Sequence, residues 1–267
     1  MQTLRDTFWL WGQDAGTHHL PDNPFKLPGT NRMTPLEGAV YFDIPNICRV
    51  VYQGKPTIPY DQDAIVLDCL DRVVWSIADY GSMGRPDDGD ADVREVIRQA
   101  KLHKNVVGTI MDDFFVSKEH WAKYPVAKLQ TYKKELDKKT GRHLDLWVVI
   151  YTHNFEEAVI PYLAKCDVVS MWTWWAKDIV HLDENLARLK TLCPGKKIVA
   201  GCYMWDYGDC RPISPELMQM QLDRYYAWLK QGEIEGVIFC TSAIADIGLD
   251  AVYQTRDWIK KVGGEKR

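Results

Sequence analysis

Two acidic side chains on neighbouring residues, Asp112 and Asp113, close the run Gly108-Thr109-Ile110-Met111 and precede Phe114-Phe115. A short apolar run ending in two acids has no simple packing rationale. Like charges this close raise one pKa, so that one acid holds its proton near neutrality while the other is ionised. Cleavage of a glycosidic bond needs that division: a proton donor for the leaving oxygen and an anion near the anomeric carbon. A plainer reading stands beside it, in which one aspartate caps a helix starting near Ser117 and only the other is functional.

The second constellation is aromatic. Eight of the eleven tryptophans (Trp9, Trp11, Trp75, Trp147, Trp172, Trp174, Trp175 and Trp205) fall in or just after short apolar runs that read as strands. Indole faces suit the CH-rich side of a sugar ring, and neighbouring polar groups take its hydroxyls. Mid-run rings such as Trp75 and Trp147 are expected to pack inside. Those past a run's end, Trp172, Trp174 and Trp205 with Trp11 and Tyr203, are expected to face a cleft. The ends of the runs also carry Asp14, Asp43, Asn46, Asp79, Asp206, His153 and Asn154. No glutamate sits at a clear run end, so an acid pair here consists of aspartates. Asp206, in Tyr203-Met204-Trp205-Asp206-Tyr207, offers an alternative in which it is the nucleophile and Asp113 the acid/base, with carboxyls roughly 5–5.5 Å apart. Enzymes of that layout generally use glutamates, which counts against it. Otherwise Asp206 binds sugar hydroxyls. His18 and His19, in a glycine-containing loop with Asp14, would form a metal site only if another acid converged on them. A His-His pair more often serves hydrogen bonding, so no metal is expected and His19 is read as a substrate ligand.

These residues need a scaffold that gathers strand ends. Short β-branched or aromatic runs alternate with longer amphipathic stretches, the pattern of βα units. Eight strands are predicted: Phe8–Gly12, Ala39–Ile44, Arg72–Asp79, Val106–Asp112, Leu144–Tyr151, Asp167–Trp172, Lys197–Tyr203 and Gly236–Thr241. Helices are predicted over 90–104, from an N-cap at Ser117 to Lys139 with Gly141 closing it, from Ser214-Pro215 to about Lys230, and over 250–262. Residues 21–35 are proline-rich and read as a long loop. Eight strands with crossovers imply a parallel sheet, and eight closes a barrel without an edge. A single α/β domain over residues 1–267, a (β/α)8 TIM barrel with its active site at the strand C-termini, is the expected fold. A doubly wound open sheet competes, but no G-x-G-x-x-G turn follows Gly12.

On that scaffold, an aspartate pair followed by aromatic or apolar residues at the fourth strand resembles glycoside hydrolase family 84, the β-N-acetylglucosaminidases. The resemblance rests on about eight residues plus the inferred barrel. It implies that the substrate's own 2-acetamido group is the nucleophile, that Asp112 orients and polarises it, and that Asp113 is the general acid/base. The pair is similar more loosely to family 18, although that family's D-x-x-D-x-D-x-E run is missing: residues 108–115 hold only its last two acids and no glutamate.

Composition narrows the partners. The formal charge is −4, which argues against nucleic acid, since phosphate binding needs a basic face. The basic run Lys133, Lys134, Lys138, Lys139 and Arg142 reads as a solvated helix end. Seven cysteines without C-x-x-C spacing suggest neither a disulfide framework nor zinc. There is no run of 18 apolar residues, so no membrane span is expected, and the early first strand leaves no room for a signal peptide. A cytoplasmic protein and an exported one with its leader removed both stay open, as does the oligomeric state. Neither a dinucleotide loop nor a Walker sequence occurs, so no organic cofactor is implied. The expected partner is a carbohydrate, and the expected function its hydrolysis by aspartate acid/base catalysis. A carbohydrate-binding barrel without turnover needs the same rings and stays open. A sugar lyase, aldolase or isomerase is disfavoured, because no lysine occupies a strand end and Thr241-Ser242-Ala243 lacks glycine.

Overall fold

The computed structural model describes residues 2–18, 24–82 and 89–267. Eight parallel strands close a barrel in chain order: β1 (Phe8–Gly12), β2 (Asn46–Arg49), β3 (Arg72–Ser76), β4 (Val106–Met111), β5 (Asp145–Tyr151), β6 (Val168–Trp172), β7 (Lys197–Tyr203) and β8 (Gly236–Cys240). β8 returns to β1 with Phe8 opposite Val237, which leaves no edge unpaired. Helices α1 (Pro35–Phe42), α2 (Asp61–Leu67), α3 (Asp90–Leu102), α4 (Lys118–Ala122), α5 (Val126–Thr140), α6 (Ile160–Leu163), α7 (Leu182–Leu192), α8 (Pro215–Gln231) and α9 (Asp250–Val262) lie between and after the strands. The strands are buried on both faces, which is why they read as near-continuous apolar runs. This is the (β/α)8 barrel expected from the alternation.

The second strand is corrected. Residues 39–42, predicted as strand, form the C-terminal half of α1, and β2 follows at Asn46–Arg49. Local capping decides it. Thr34 and Glu37 form a reciprocal capping box with Pro35 at the first helical position, so the helix is nucleated before the apolar residues arrive. Asp43 becomes the helix C-cap in the left-handed region (φ 57°), paired with Arg5. Asn46 starts β2 at the opposite end of the barrel and donates to the Phe8 carbonyl at 2.7 Å. Neither residue belongs to the mouth. The helix predicted from Ser117 to Lys139 is also two. Ser117 caps α4 by accepting from the His120 N–H, but Pro125 has no N–H and disfavours helix in the residue before it, so α5 begins anew at Val126. α9 has its predicted bounds, and α8 starts on the predicted Ser214 cap. No helix among the described residues is long and apolar enough to cross a membrane.

The interior is layered with indoles. Trp9 on β1 meets Trp147 on β5 across the barrel at 4.9 Å, with the Arg72 guanidinium 4.6 Å from the Trp9 ring. Two residues further along β1, Trp11 meets Trp172 on β6 at 5.3 Å. Trp172 is 2% exposed and donates Nε1–H to Ser170 Oγ at 2.8 Å. It fits because the adjacent strand carries Gly201, where a Cβ would come within 2.0 Å of the indole. Trp75 packs elsewhere, stacked on Tyr60 at 4.8 Å and 5°.

Gly201→Ala is therefore expected to overpack the barrel. The loss should be about 1–3 kcal/mol in urea unfolding, with altered tryptophan fluorescence as Trp172 is displaced. An unchanged unfolding midpoint would show that the ring is not fixed by that gap.

Candidate active site

β4 ends at Met111, and the next two residues turn into the barrel mouth. Asp113 takes a left-handed backbone (φ 48°), a conformation that aspartate tolerates better than most residues. Its N–H donates to Asp112 Oδ1 at 2.9 Å, and the turn leaves both carboxyls on one cavity. Tyr151, the last residue of β5, donates its hydroxyl to Asp113 Oδ1 at 2.6 Å. Adjacent β-strands thus deliver an acid and its hydrogen-bond donor side by side.

The cavity is small, about 60 Å³, and its wall is mostly rings. Trp11, Trp172, Trp174 and Tyr203, all expected to face a cleft, line it with Asp112 and Asp113. Trp11 and Trp172 are the upper indole layer of the barrel and form the floor. Tyr151, Tyr207, Gln13, His18 and Cys240 complete the strand-end contribution. Tyr52 and Phe25 are additions that sequence reasoning missed. Tyr52 lies three residues past β2 and was hidden by the misplaced second strand; placing that strand at 46–49 would have exposed it. Phe25 sits in the irregular β1–α1 connection, where no periodicity points to it. It is held over the mouth because its carbonyl accepts Trp205 Nε1–H at 3.0 Å and its ring meets Tyr207 at 5.0 Å.

Several expected ligands are not in this cavity. Asp14 is bound to Arg49, a fully buried guanidinium that also holds Asp63 and the Gly12 and Val50 carbonyls. Asp206 is 2% exposed; its Oδ1 accepts the Ala176 and Asp209 N–H groups at 3.2 Å, and its Oδ2 faces Arg211. With Trp205 it borders a separate cavity beside the starts of α8 and α9, so the geometry does not pair it with Asp113. His153 is exposed and stacks flat on the Tyr151 ring at 5.3 Å, with Asn154 beside it in the same turn; neither lines the cavity. His19 lies outside the described residues. Asp79 is buried next to the pair without lining the cavity. Its Oδ1 accepts the Gly81 N–H at 2.6 Å, and its Oδ2 has no partner among the described residues.

Electrostatics follow from this packing. Burial pushes the Asp112 carboxyl well above the usual range, and repulsion from Asp113 and then Asp79 adds to it. Burial also raises Asp113, while the Tyr151 hydroxyl pulls it back. Asp79 is raised well above its ordinary value by burial and then by Asp113. The site therefore holds protons that exposed aspartates would have lost, and it can both donate a proton and present an anion.

Comparison with known proteins adds the fold and little else. No protein-family model and no curated protein matches the chain in sequence. Among solved structures it is similar to the GH99 endo-α-mannosidase from Bacteroides thetaiotaomicron (TM-score 0.59, 10% identity, 97% of this chain and 98% of that one). It is also similar to a glycoside hydrolase family 18 N-acetylglucosaminidase from Paenibacillus barengoltzii (TM-score 0.51, 12% identity, 93% and 99%). Other glycoside hydrolases are among the similar structures, and the tryptophan synthase complex from Pyrococcus furiosus shares the barrel as well (TM-score 0.55, 14% identity, 98% and 99%). At such identities the likeness establishes the (β/α)8 barrel.

The raised carboxyls have a consequence for stability. The folded chain keeps a proton on Asp112 where the unfolded chain has released it. Stability accordingly falls as pH climbs from the ordinary value of 3.8 through the raised one. Asp112→Asn abolishes that loss. By calorimetry its Tm should exceed wild type by roughly 2–4 °C at pH 8, about 1 kcal/mol, and match it near pH 4. A lower Tm at pH 8 would contradict a destabilising carboxylate.

Proposed function

We propose that this chain is a glycoside hydrolase whose chemistry is carried by Asp112 and Asp113. The observation that supports it most is the shared cavity: two raised carboxyls, one bonded to a tyrosine hydroxyl, enclosed by the aromatic rings that sugars stack on. With Oδ1 of Asp113 taken by Tyr151, its proton resides on Oδ2, free to pass to the glycosidic oxygen. Once the leaving group departs, the same carboxylate takes a proton from the attacking water. Asp112, the more buried of the two, holds the substituent on C2 of the sugar. Where that substituent is acetamido, its carbonyl oxygen attacks C1 while Asp112, ionised when Asp113 carries the proton the pair shares, orients and polarises it, as the resemblance to family 84 implies. The occurrence of glycoside hydrolases among structures sharing the barrel favours this chemistry over the other chemistries the fold hosts. Among the described residues no lysine lines the cavity for Schiff-base formation.

The reading is tested with aryl glycosides bearing hydroxyl, acetamido or amino groups at C2. Turnover of at least one is expected, with kcat/KM falling about 10²–10⁴-fold in Asp113→Asn. Asp206→Asn should change turnover little and lower Tm, because its carboxylate serves backbone amides. If wild type turns over none of the panel, or Asp113→Asn matches wild type, the hydrolase reading fails; sugar binding without turnover would leave a carbohydrate-binding barrel.

Tyr151 provides a second check. Tyr151→Phe removes the bond that lowers the Asp113 carboxyl, so its pKa rises further. A proton donor then stays loaded to higher pH, and the basic limb of the kcat/KM profile should shift upward. A shift downward, or none with kcat/KM intact, would take Asp113 out of the donor role.

A further inference from the structure

The cavity has an imbalance that the hydrolase reading leaves unused. Its wall carries eight aromatic rings and two carboxylates, with neither lysine nor arginine among the described residues. Arg49, the last residue of β2, is engaged by Asp14, Asp63 and two backbone carbonyls. Asp79 adds a third buried acid beside the pair. Neighbouring rings meet at steep angles: Trp174 and Tyr203 at 87°, Trp172 and Tyr203 at 47°, Tyr203 and Tyr207 at 57°. Trp174 and Tyr207 lie closer to parallel, at 32°, so the rings wall the cavity from several directions instead of offering one flat platform. A neutral pyranose needs one face to stack on and several donors and acceptors for its hydroxyls. Aromatic walls beside acids that meet no cation among the described residues are suited to positive charge: the ring quadrupoles attract it, and its presence favours ionisation of the acid it faces.

A metal ion fits less well. Among the described residues, the only histidine, cysteine or acid trio with ligand atoms mutually within 4.8 Å is His143, Asp145 and Asp167, which precede or begin β5 and β6 at the far end of the barrel. Asp79, Asp112 and Asp113 do not bring their carboxylate oxygens together as such a trio, and the indoles and the Phe25 ring supply no ligand atoms. The cavity is narrow, about 60 Å³, and one small substituent of a ligand fits at its floor.

We infer that the ligand of this cavity is an amino sugar, its protonated amine seated among Trp172, Trp174, Tyr203 and Tyr207 against Asp112 and Asp113. This rests on the hydrolase reading for the sugar and deepens it by fixing the charge of the substituent. An ammonium is no nucleophile, so the acetamido-assisted step would not operate on such a substrate.

Binding and turnover are measured separately, so that each idea can fail alone. Tryptophan fluorescence is titrated at low ionic strength with glucosamine, N-acetylglucosamine and glucose. Glucosamine should bind roughly tenfold more tightly than either neutral sugar. That preference should disappear in Asp112→Asn and in Trp174→Ala, whose half-buried ring can be removed without opening the core, with folding checked by circular dichroism. Equal affinities, a preference for N-acetylglucosamine, or a preference that survives both variants would overturn the inference. Tetramethylammonium binding more tightly than glucosamine would assign the box to a cation that is not a sugar, and calcium or magnesium displacing glucosamine would assign it to a metal; either overturns the amino sugar. Hydrolysis of the 2-acetamido aryl glycoside in preference to the 2-amino one would keep the hydrolase and sink the inference. Glucosamine selectivity without turnover of any aryl glycoside would do the reverse.

Discussion

Placing ionisable groups away from bulk water costs free energy unless something in the structure compensates, and the mouth of this barrel does so only in part. Asp112 accepts one backbone N–H, Asp113 one tyrosine hydroxyl, and Asp79 one backbone N–H. No guanidinium or ammonium from the described residues reaches the cavity. The acids consequently resist ionisation, and the surrounding framework has to hold them in place against their mutual repulsion. Closure of the eight-stranded sheet supplies that framework, because hydrogen bonds on both sides of β4 and β5 fix the ends from which Asp112, Asp113 and Tyr151 project.

The same chain also shows how acids are used when they are compensated. Asp14 and Asp206 stand at strand ends with the same chemistry available to them, yet each is bound by a guanidinium, and Asp206 by two amides as well. Asp246 binds the Asn31 side chain and the Arg32 and Met33 N–H groups, tying the β1–α1 connection to the end of β8. That connection carries Phe25 over the mouth. Acids with several partners organise the rim, and among the described residues the pair in the cavity meets no guanidinium or ammonium. The contrast, more than the presence of acid, singles out the pair.

Packing and recognition share residues here. The indoles of Trp11 and Trp172 end the core of the barrel and begin the cavity, so the floor of the site is as rigid as the interior beneath it. Gly201 makes this possible by vacating the volume that the Trp172 ring fills. The barrel itself is common to glycoside hydrolases and to tryptophan synthase, so the chemistry has to be sought in what the strand ends carry.

Strand periodicity and helix caps were legible from the residues alone. Seven of the eight strands, the Ser214 cap of α8 and the closure of α5 at Gly141 follow from local preference, and so does the presence of Asp112 and Asp113 at the end of β4. The second strand was misread because Ala39–Ile44 is apolar in either conformation, and the capping box at Thr34 and Glu37 outweighs that pattern. Which strand-end acids share a cavity was not legible. Asp14, Asp112 and Asp206 look alike in sequence; Asp14 is held by Arg49, 35 residues away, and Asp206 by Ala176, 30 away, together with the local Asp209 N–H and Arg211. Phe25 and Tyr52 reach the cavity only through tertiary contacts. Local sequence determined the elements and the acids they end in; barrel closure and the distribution of counter-charges decided which of those acids remain uncompensated in a box of rings, because desolvation and ion pairing depend on everything that surrounds a group in space.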